Sequence, residues 1–208
     1  MEPGWLMWAR ELQAIVQTGL EFARDPYDRE RYIAVRALAA RIMAQPASAD
    51  ALWVEKLFAA ETGYATPKVG VRGAVFGEDG RILLVREVAD SRWSLPGRWA
   101  EENQSPSEAV VREVLEESGF TVSVRKLAAV YDRMRHPHLP PRPFHIYKLF
   151  FVCDIVGGEA QTSSETSEVG FFAEDEVPGD LSIGRVLPYQ ITRMFEHARS
   201  STLPTDFD

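Results

Sequence analysis

The stretch REVLEESGF, at positions 112–120, concentrates three carboxylates, Glu113, Glu116 and Glu117, beside one arginine, Arg112. In an α-helix, which turns about 100° per residue, the three acids share one arc of about 100°. Val110, Val111, Val114 and Leu115 fill the opposite arc and are expected to be its buried face. Arg112 stands four residues before Glu116, close enough to pair with a carboxylate. Like charges on adjacent turns weaken a helix, and these lie in its later turns, where the macrodipole disfavours them. No lysine occurs between positions 105 and 118 to offset them. A solvated acidic face is the simplest account of such a run. The glycine and phenylalanine that follow at 119 and 120 argue instead for a helix end docked tightly on the protein. A hard divalent cation would resolve the repulsion. Mg2+ and Mn2+ prefer carboxylate and carbonyl oxygens, and Mg2+ commonly shares its shell with water and substrate phosphates.

The elements that must position these acids can be read on either side. Ser105 and Glu108 form a capping box with Pro106 at the first helical position, so a helix is predicted over 105–118. Apolar, β-branched runs at 69–76 and 82–88 flank GEDGR, a hairpin signal. Further strands are expected at about 121–131, 144–156 and 168–173, and a last helix at about 186–199 with Leu187, Ile191, Met194 and Phe195 on one face. The region before residue 62 has a different texture. Trp5, Trp8, Leu12, Ile15, Val16 and Leu20 recur at helical spacing. A second helix follows, capped by Asp25 with Pro26 at its first position, and its stripe is Tyr32, Val35, Leu38, Ala39 and Ile42. A third, about 48–60, carries Leu52, Trp53 and Leu57 and ends near Gly63. Two domains are therefore expected, helical over 1–65 and α/β over 66–208.

The whole chain narrows the function classes. A formal net charge of −8 over 208 residues speaks against a duplex nucleic-acid footprint. The single cysteine, Cys153, excludes an intrachain disulfide and fits a reducing compartment. The first residues lack the basic start of a signal peptide. No apolar run approaches the roughly 18 residues of a membrane span. A cytoplasmic protein without membrane attachment is expected.

LPGRWAEENQSPSEAVVREVLEESGF, at 95–120, resembles the Nudix box, in which a glycine, a glutamate and an Arg-Glu-apolar-x-Glu-Glu-x-Gly-apolar block recur at fixed spacing. Positions 112–120 match throughout. With average residue usage such a block arises by chance in fewer than about 1 in 10⁴ chains of this length. The segment RELQAIVQTGLEFARDPYDRERY also resembles the helical domain that precedes the box in one bacterial Nudix group. That group hydrolyses nucleoside diphosphates linked to another moiety, such as ADP-ribose or CDP-choline. The resemblance implies an α/β/α sandwich around a mixed sheet, a small-molecule nucleotide-derived substrate, Mg2+ or Mn2+ as cofactor, and a homodimer.

By that resemblance Glu113, Glu116 and Glu117 would bind metal, and the backbone carbonyl of Arg98 would add a further oxygen. Arg112 would orient the carboxylates. Two positions depart from the box: Arg98 stands at its leading glycine and Gln104 at its isolated glutamate. Arg98 keeps a carbonyl and can reach a phosphate through its fork of donors. Gln104 loses a charge but keeps an acceptor oxygen. If both are tolerated the protein is an efficient pyrophosphohydrolase. If not, it is a weakened Nudix scaffold that binds a nucleotide in a regulatory role. The loop SSETSEVGFF offers Glu165, or else Glu168, as base or extra ligand, with Glu165 preferred because Glu168 can begin the strand. Arg133, His136 and Arg142 in the proline-rich loop 132–145 are candidates for substrate contact. Its His-x-His spacing has no further ligand pair to make a zinc site. Trp93 and Trp99 flank the box and are candidates to stack on a base, whereas Trp5, Trp8, Trp53 and Cys153 are expected in the core.

Overall fold

The computed structural model describes residues 3–208, so the first two residues of the expected helical domain lie outside it. The described residues form two compact units. One runs to Pro67 and also takes in Pro141–His145; the other comprises Lys68–Pro140 and Ile146–Asp208.

The first unit holds α1 (Gly4–Phe22), α2 (Pro26–Ala44) and α3 (Ala51–Ala59). Asp25 caps α2 by accepting from the Tyr27 and Asp28 amides, and Asp50 caps α3 by accepting from Leu52. The third helix thus starts three residues later than its expected start, because Asp50 is the better-placed cap. It ends at Ala59, short of Gly63, whose positive φ of 76° belongs to the following turn. The buried stripe of α1 is Leu6, Ala9, Arg10, Gln13 and Val16, rotated from the expected one. Small residues set that rotation: Ala9 packs with Ala39 and Ala40 of α2, and a Cβ on Gly19 would lie 2.4 Å from the Tyr32 ring. Trp8 and Trp53, expected in the core, are about 60% exposed, as are Ile15 and Leu52 to a similar degree. Arg10 donates through Nε to the Arg142 carbonyl at 2.8 Å, and Gln13 donates to the Phe58 carbonyl at 3.0 Å.

The second unit is a mixed sheet between helices. Its strands are β1 (Lys68–Phe76), β2 (Ile82–Glu87), β3 (Trp93–Ser94), β4 (Phe120–Asp132), β5 (Ile146–Gly158), β6 (Thr166–Phe172) and β7 (Asp206–Phe207). Its helices are α4 (Pro106–Ser118) and α5 (Pro188–Arg199). The sheet path is β3-β2-β1-β5-β4-β7, with β6 paired to β2. β1 and β5 run parallel, as do β4 and β7, while the remaining pairs are antiparallel. The GEDGR hairpin forms as expected, with Phe76 opposite Ile82. The short strands β3 and β7 carry no sequence pattern of their own.

Alternation along the central strands divides the core. Val71, Val75 and Leu83 face α4, packing with Val110 and Val114, whereas Ala74, Phe76, Ile82 and Leu84 face α5, packing with Ile191, Met194 and Phe195. This is the α/β/α arrangement. Gly73 lets α4 approach β1, since a Cβ there would lie 2.7 Å from Val114 Cγ2. Cys153 is a fully buried core residue, its thiol pushed up to about 12 by burial. Among the described residues no helix is long and apolar enough to cross a membrane.

Candidate active site

The segment after β3 runs beside β1. Gly73 N donates to Pro96 O at 2.9 Å, Val71 N to Arg98 O at 2.8 Å, and Ala100 N to Val69 O at 3.0 Å. Gly97 has φ 134°, and a Cβ would fall 2.3 Å from the Val71 carbonyl, so only glycine fits. Its N–H donates to Glu117 Oε2 at 2.9 Å.

The capping box of α4 forms as the sequence requires, with Ser105 accepting from the Glu108 amide and Glu108 accepting from Ser105 N at 2.8 Å. Gly119 closes the helix with φ 78°, and a Cβ there would meet the Glu159 carbonyl at 2.4 Å, which is the tight docking expected of the helix end. The buried arc of α4 differs from the expected one. Ala109, Val110, Glu113, Val114, Glu117 and Ser118 are buried, whereas Leu115 is 47% exposed. Two of the three box carboxylates therefore lie against the protein, each 4% exposed.

Arg112 donates hydrogen bonds to three groups and also stands 3.8 Å from Glu101 Oε1. It donates through Nη2 to Glu113 Oε1 and through Nη1 to Glu116 Oε2, both at 2.8 Å, and through Nε to Gln104 Oε1 at 3.3 Å. Gln104 at the box glutamate position thus supports Arg112. Ser163 and Thr166 tie the loop before β6: Ser163 N donates to Thr166 Oγ1 at 3.1 Å, and Thr166 Oγ1 donates to the Glu117 carbonyl at 2.7 Å. That loop presents Glu165, which is ion-paired with Arg98. Glu168 lies within β6 and pairs with Arg86 at 2.8 Å.

These elements surround a cavity of about 770 Å³ lined by Arg98, Trp99, Glu101, Arg112, Glu113, Glu116, Glu117 and the loop Ser163–Glu165. With all five carboxylates deprotonated, the two guanidiniums leave an excess of three negative charges on the lining. Burial raises Glu117 to about 7, although the Arg72 charge and the Gly97 N–H pull it down. Burial also raises Glu113, opposed by Arg112. The deprotonated acids are thus under-compensated.

The donor chemistry fits a hard divalent cation: carboxylate oxygens on one cavity wall, two of them buried, with negative charge in excess. Among the described residues no three acidic, histidine or cysteine side chains converge as a ready-made site. Glu113 and Glu116 each give one oxygen to Arg112 and Glu117 gives one to the Gly97 N–H, so these partners hold the three carboxylates by one oxygen each.

Other expected residues lie elsewhere. Arg133 is 3% exposed and donates to the Pro140 carbonyl at 2.7 Å. His136 faces Asp208 at 3.0 Å and Tyr189. Arg142 belongs with the helices, where its carbonyl accepts from Arg10. Arg133 and His136 do not line the cavity; the chain after Asp132 forms a 3-10 turn, Arg133–Arg135. Trp93 is a core residue set edge-on to Phe172, with centroids 4.9 Å apart, while Trp99 lines the cavity at 41% exposure. Sequence reasoning missed Glu101 and the buried Arg72. The only signal for Arg72 is a charged residue inside the apolar run KVGVRGAVF.

Two family models match the chain. One, described as a UDP-X-like, N-terminal oligomerisation domain, matches residues 3–58, and the NUDIX domain matches residues 66–190. YjhB of Bacillus subtilis (strain 168), provisionally named an ADP-ribose pyrophosphatase, is 45% identical over 204 residues, which span 98% of this chain and 97% of that protein. Among solved structures, an ADP-ribose pyrophosphatase from Streptococcus suis 89-1591 has a TM-score of 0.62 at 40% identity, covering 69% of this chain and 100% of its own. A UDP-X diphosphatase has the same TM-score of 0.62 at 32% identity and covers 98% of both chains.

Proposed function

This chain belongs to the Nudix family as a pyrophosphohydrolase, and on that premise we propose that it hydrolyses the diphosphate of a nucleoside diphosphate linked to another moiety, with ADP-ribose foremost and a CDP-alcohol such as CDP-choline next. The excess of three carboxylates around the cavity, two of them buried, carries this reading. Relatives named for ADP-ribose support the first substrate. Water adds across one P–O–P linkage and releases two phosphomonoesters.

Nudix enzymes use divalent metal ions, and here Glu113, Glu116 and Glu117 with the Arg98 carbonyl would hold Mg2+ or Mn2+. When bound, such a cation neutralises the diphosphate, polarises phosphorus and lowers the pKa of the attacking water. Arg112 orients Glu113 and Glu116, a supporting contact of the kind that tunes metal ligands. Arg98 exchanges Glu165 for a phosphate oxygen, using the same guanidinium. Glu165, once released, takes a proton from water as general base. Trp99 offers an aromatic face to the base.

The Arg98–Glu165 ion pair also favours a second reading, a weakened scaffold that binds a nucleotide in a regulatory role. One experiment separates the two. ADP-ribose, CDP-choline and a UDP-sugar are each incubated with Mg2+ or Mn2+, and products are read as phosphate released by added phosphatase. Turnover of ADP-ribose is expected; binding without product for every substrate would support the second reading. A large gain in rate from Arg98→Gly with Gln104→Glu would do the same.

The protein acts as a homodimer in the cytoplasm, free of membrane and nucleic acid. Trp8, Ile15 and Phe22 repeat at seven-residue spacing on α1 and are all more than half exposed, and the matching domain is described as one for oligomerisation. A monomer in sedimentation at micromolar concentration would count against the dimer.

A further inference from the structure

We propose that Arg72 is a positioning residue for Glu117: from inside β1 its guanidinium holds the Leu95–Gly97 turn, and the Gly97 N–H of that turn holds the carboxylate. This rests on reading Glu117 as a cation-binding group. Arg72 is 8% exposed in the central strand, beside Val71, Ala74 and Val75, which are fully buried. A cation there is costly unless its donors and charge are answered. Its Nη1 donates to the carbonyls of Leu95, at 3.2 Å, and Gly97. The Gly97 peptides are thus gripped at both ends, the carbonyl by Arg72 and the N–H by Glu117 at 2.9 Å. No other residue type can take over this link, since Gly97 has no room for a Cβ.

The charges point the same way. Glu117, Glu87 and Glu113 act on Arg72, opposed by Arg185. Glu87 already has a partner, Arg185 Nε at 2.8 Å. The charge left for Arg72 to balance is on the Glu117 side. Arg72 therefore supplies the site with a permanent internal counter-charge and a fixed backbone, leaving the cavity-facing side of Glu117 available to a cation.

The test uses the full chain. MnCl2 alone is titrated calorimetrically into the wild type, Arg72→Lys and Arg72→Gln, and kcat and KM are measured with ADP-ribose. Lysine keeps the charge but lacks the planar guanidinium whose Nη1 reaches both carbonyls; glutamine loses the charge as well. Supporting contacts to metal ligands are worth about 10–100-fold in affinity or activity. Mn2+ affinity and kcat should therefore fall about 10–100-fold, with Lys milder than Gln and KM changed less than about threefold. A lowered melting temperature with unchanged Mn2+ affinity and kcat would mean a merely structural role and overturn the proposal. If neither variant folds, the wild type decides: Mg2+ should shift the Arg72 Nε–H resonance in 15N NMR, and an unshifted signal at saturating Mg2+ overturns the proposal. Absence of Mn2+ binding by the wild type sinks the cation-site reading and this proposal together, whereas wild-type binding with unaffected variants sinks this proposal alone.

Discussion

Replacing Glu117 by glutamine should make the metal-free protein more stable and the enzyme nearly inactive. Glu117 is 4% exposed, and burial raises its carboxyl from 4.5 to about 7. A raised carboxyl pKa means that folding disfavours the charge. The cost is absent below about pH 4.5, grows as pH rises through the window from 4.5 to 7, and is constant above it. At 1.36 kcal/mol per pKa unit the cost at pH 8 is about 3 kcal/mol. Glutamine has the same shape, carries no charge and keeps an oxygen to accept from Gly97 N–H. With chelator present, urea unfolding should show Glu117→Gln more stable than wild type by about 3 kcal/mol at pH 8 and by under about 1 kcal/mol at pH 5. Saturating Mn2+ should reverse the order, because a ligand that binds only the native state stabilises by RT ln(1 + [L]/Kd). Turnover in Mn2+ should fall by at least about 100-fold. A chelated variant less stable than wild type at pH 8, or one with full turnover, would refute the reasoning.

Other positions give separate tests. Gly73→Ala places a methyl 2.7 Å from Val114 Cγ2 and 3.2 Å from Val110 Cγ2; it should cost about 1–3 kcal/mol in chemical denaturation, and adding Val114→Ala should recover part of that loss. Glu165→Gln should lower kcat by about 10²-fold or more if Glu165 is the general base, while Glu168→Gln, which breaks only the pair with Arg86, should change it less than about twofold; steady-state kinetics on both checks the assignment. His138 is 4% exposed, donates from Nδ1 to the Ile183 carbonyl at 2.8 Å, and is pushed down from 6.5 to about 3 by burial. A depressed histidine contributes stability above about pH 6.5 and loses it as pH falls, at about 1.4 kcal/mol per unit. The stability lost between pH 7 and pH 5 should shrink by about 2 kcal/mol in His138→Asn, measured by urea titration at both pH values.

Local chemistry made much of this protein legible in one dimension. The capping box of α4, the GEDGR hairpin and the placing of Glu113, Glu116 and Glu117 within one arc depend on residues at most six apart, and all three formed as read. The boundary of β1 and the α5 face of Ile191, Met194 and Phe195 followed from periodicity. What periodicity cannot choose is which flank of a face a neighbour covers. On α4 the sheet covers Glu113 and Glu117 and leaves Leu115 to solvent, since Gly73 admits Val114 and draws that side of the helix inward. On α1 the small Ala9 and Gly19 decide the contact, and Trp8 is left outside although it is the larger apolar group.

The tertiary structure alone decided which distant charges meet. Arg98 and Glu165 are 67 residues apart and form an ion pair, Gly97 and Glu117 are 20 apart and share a hydrogen bond, and Arg72 reaches Gly97 across 25. Arg133, His136 and Arg142 looked equally available in sequence and bond elsewhere. The amino-acid order by itself determined that three carboxylates and an arginine share a helix end and need a counter-charge. Only the fold decided that two of those carboxylates are buried, that a buried arginine stands behind one of them, and that the exposed loop acid beside them is Glu165, because burial and long-range pairing depend on how strands and helices pack and not on the spacing within any one of them.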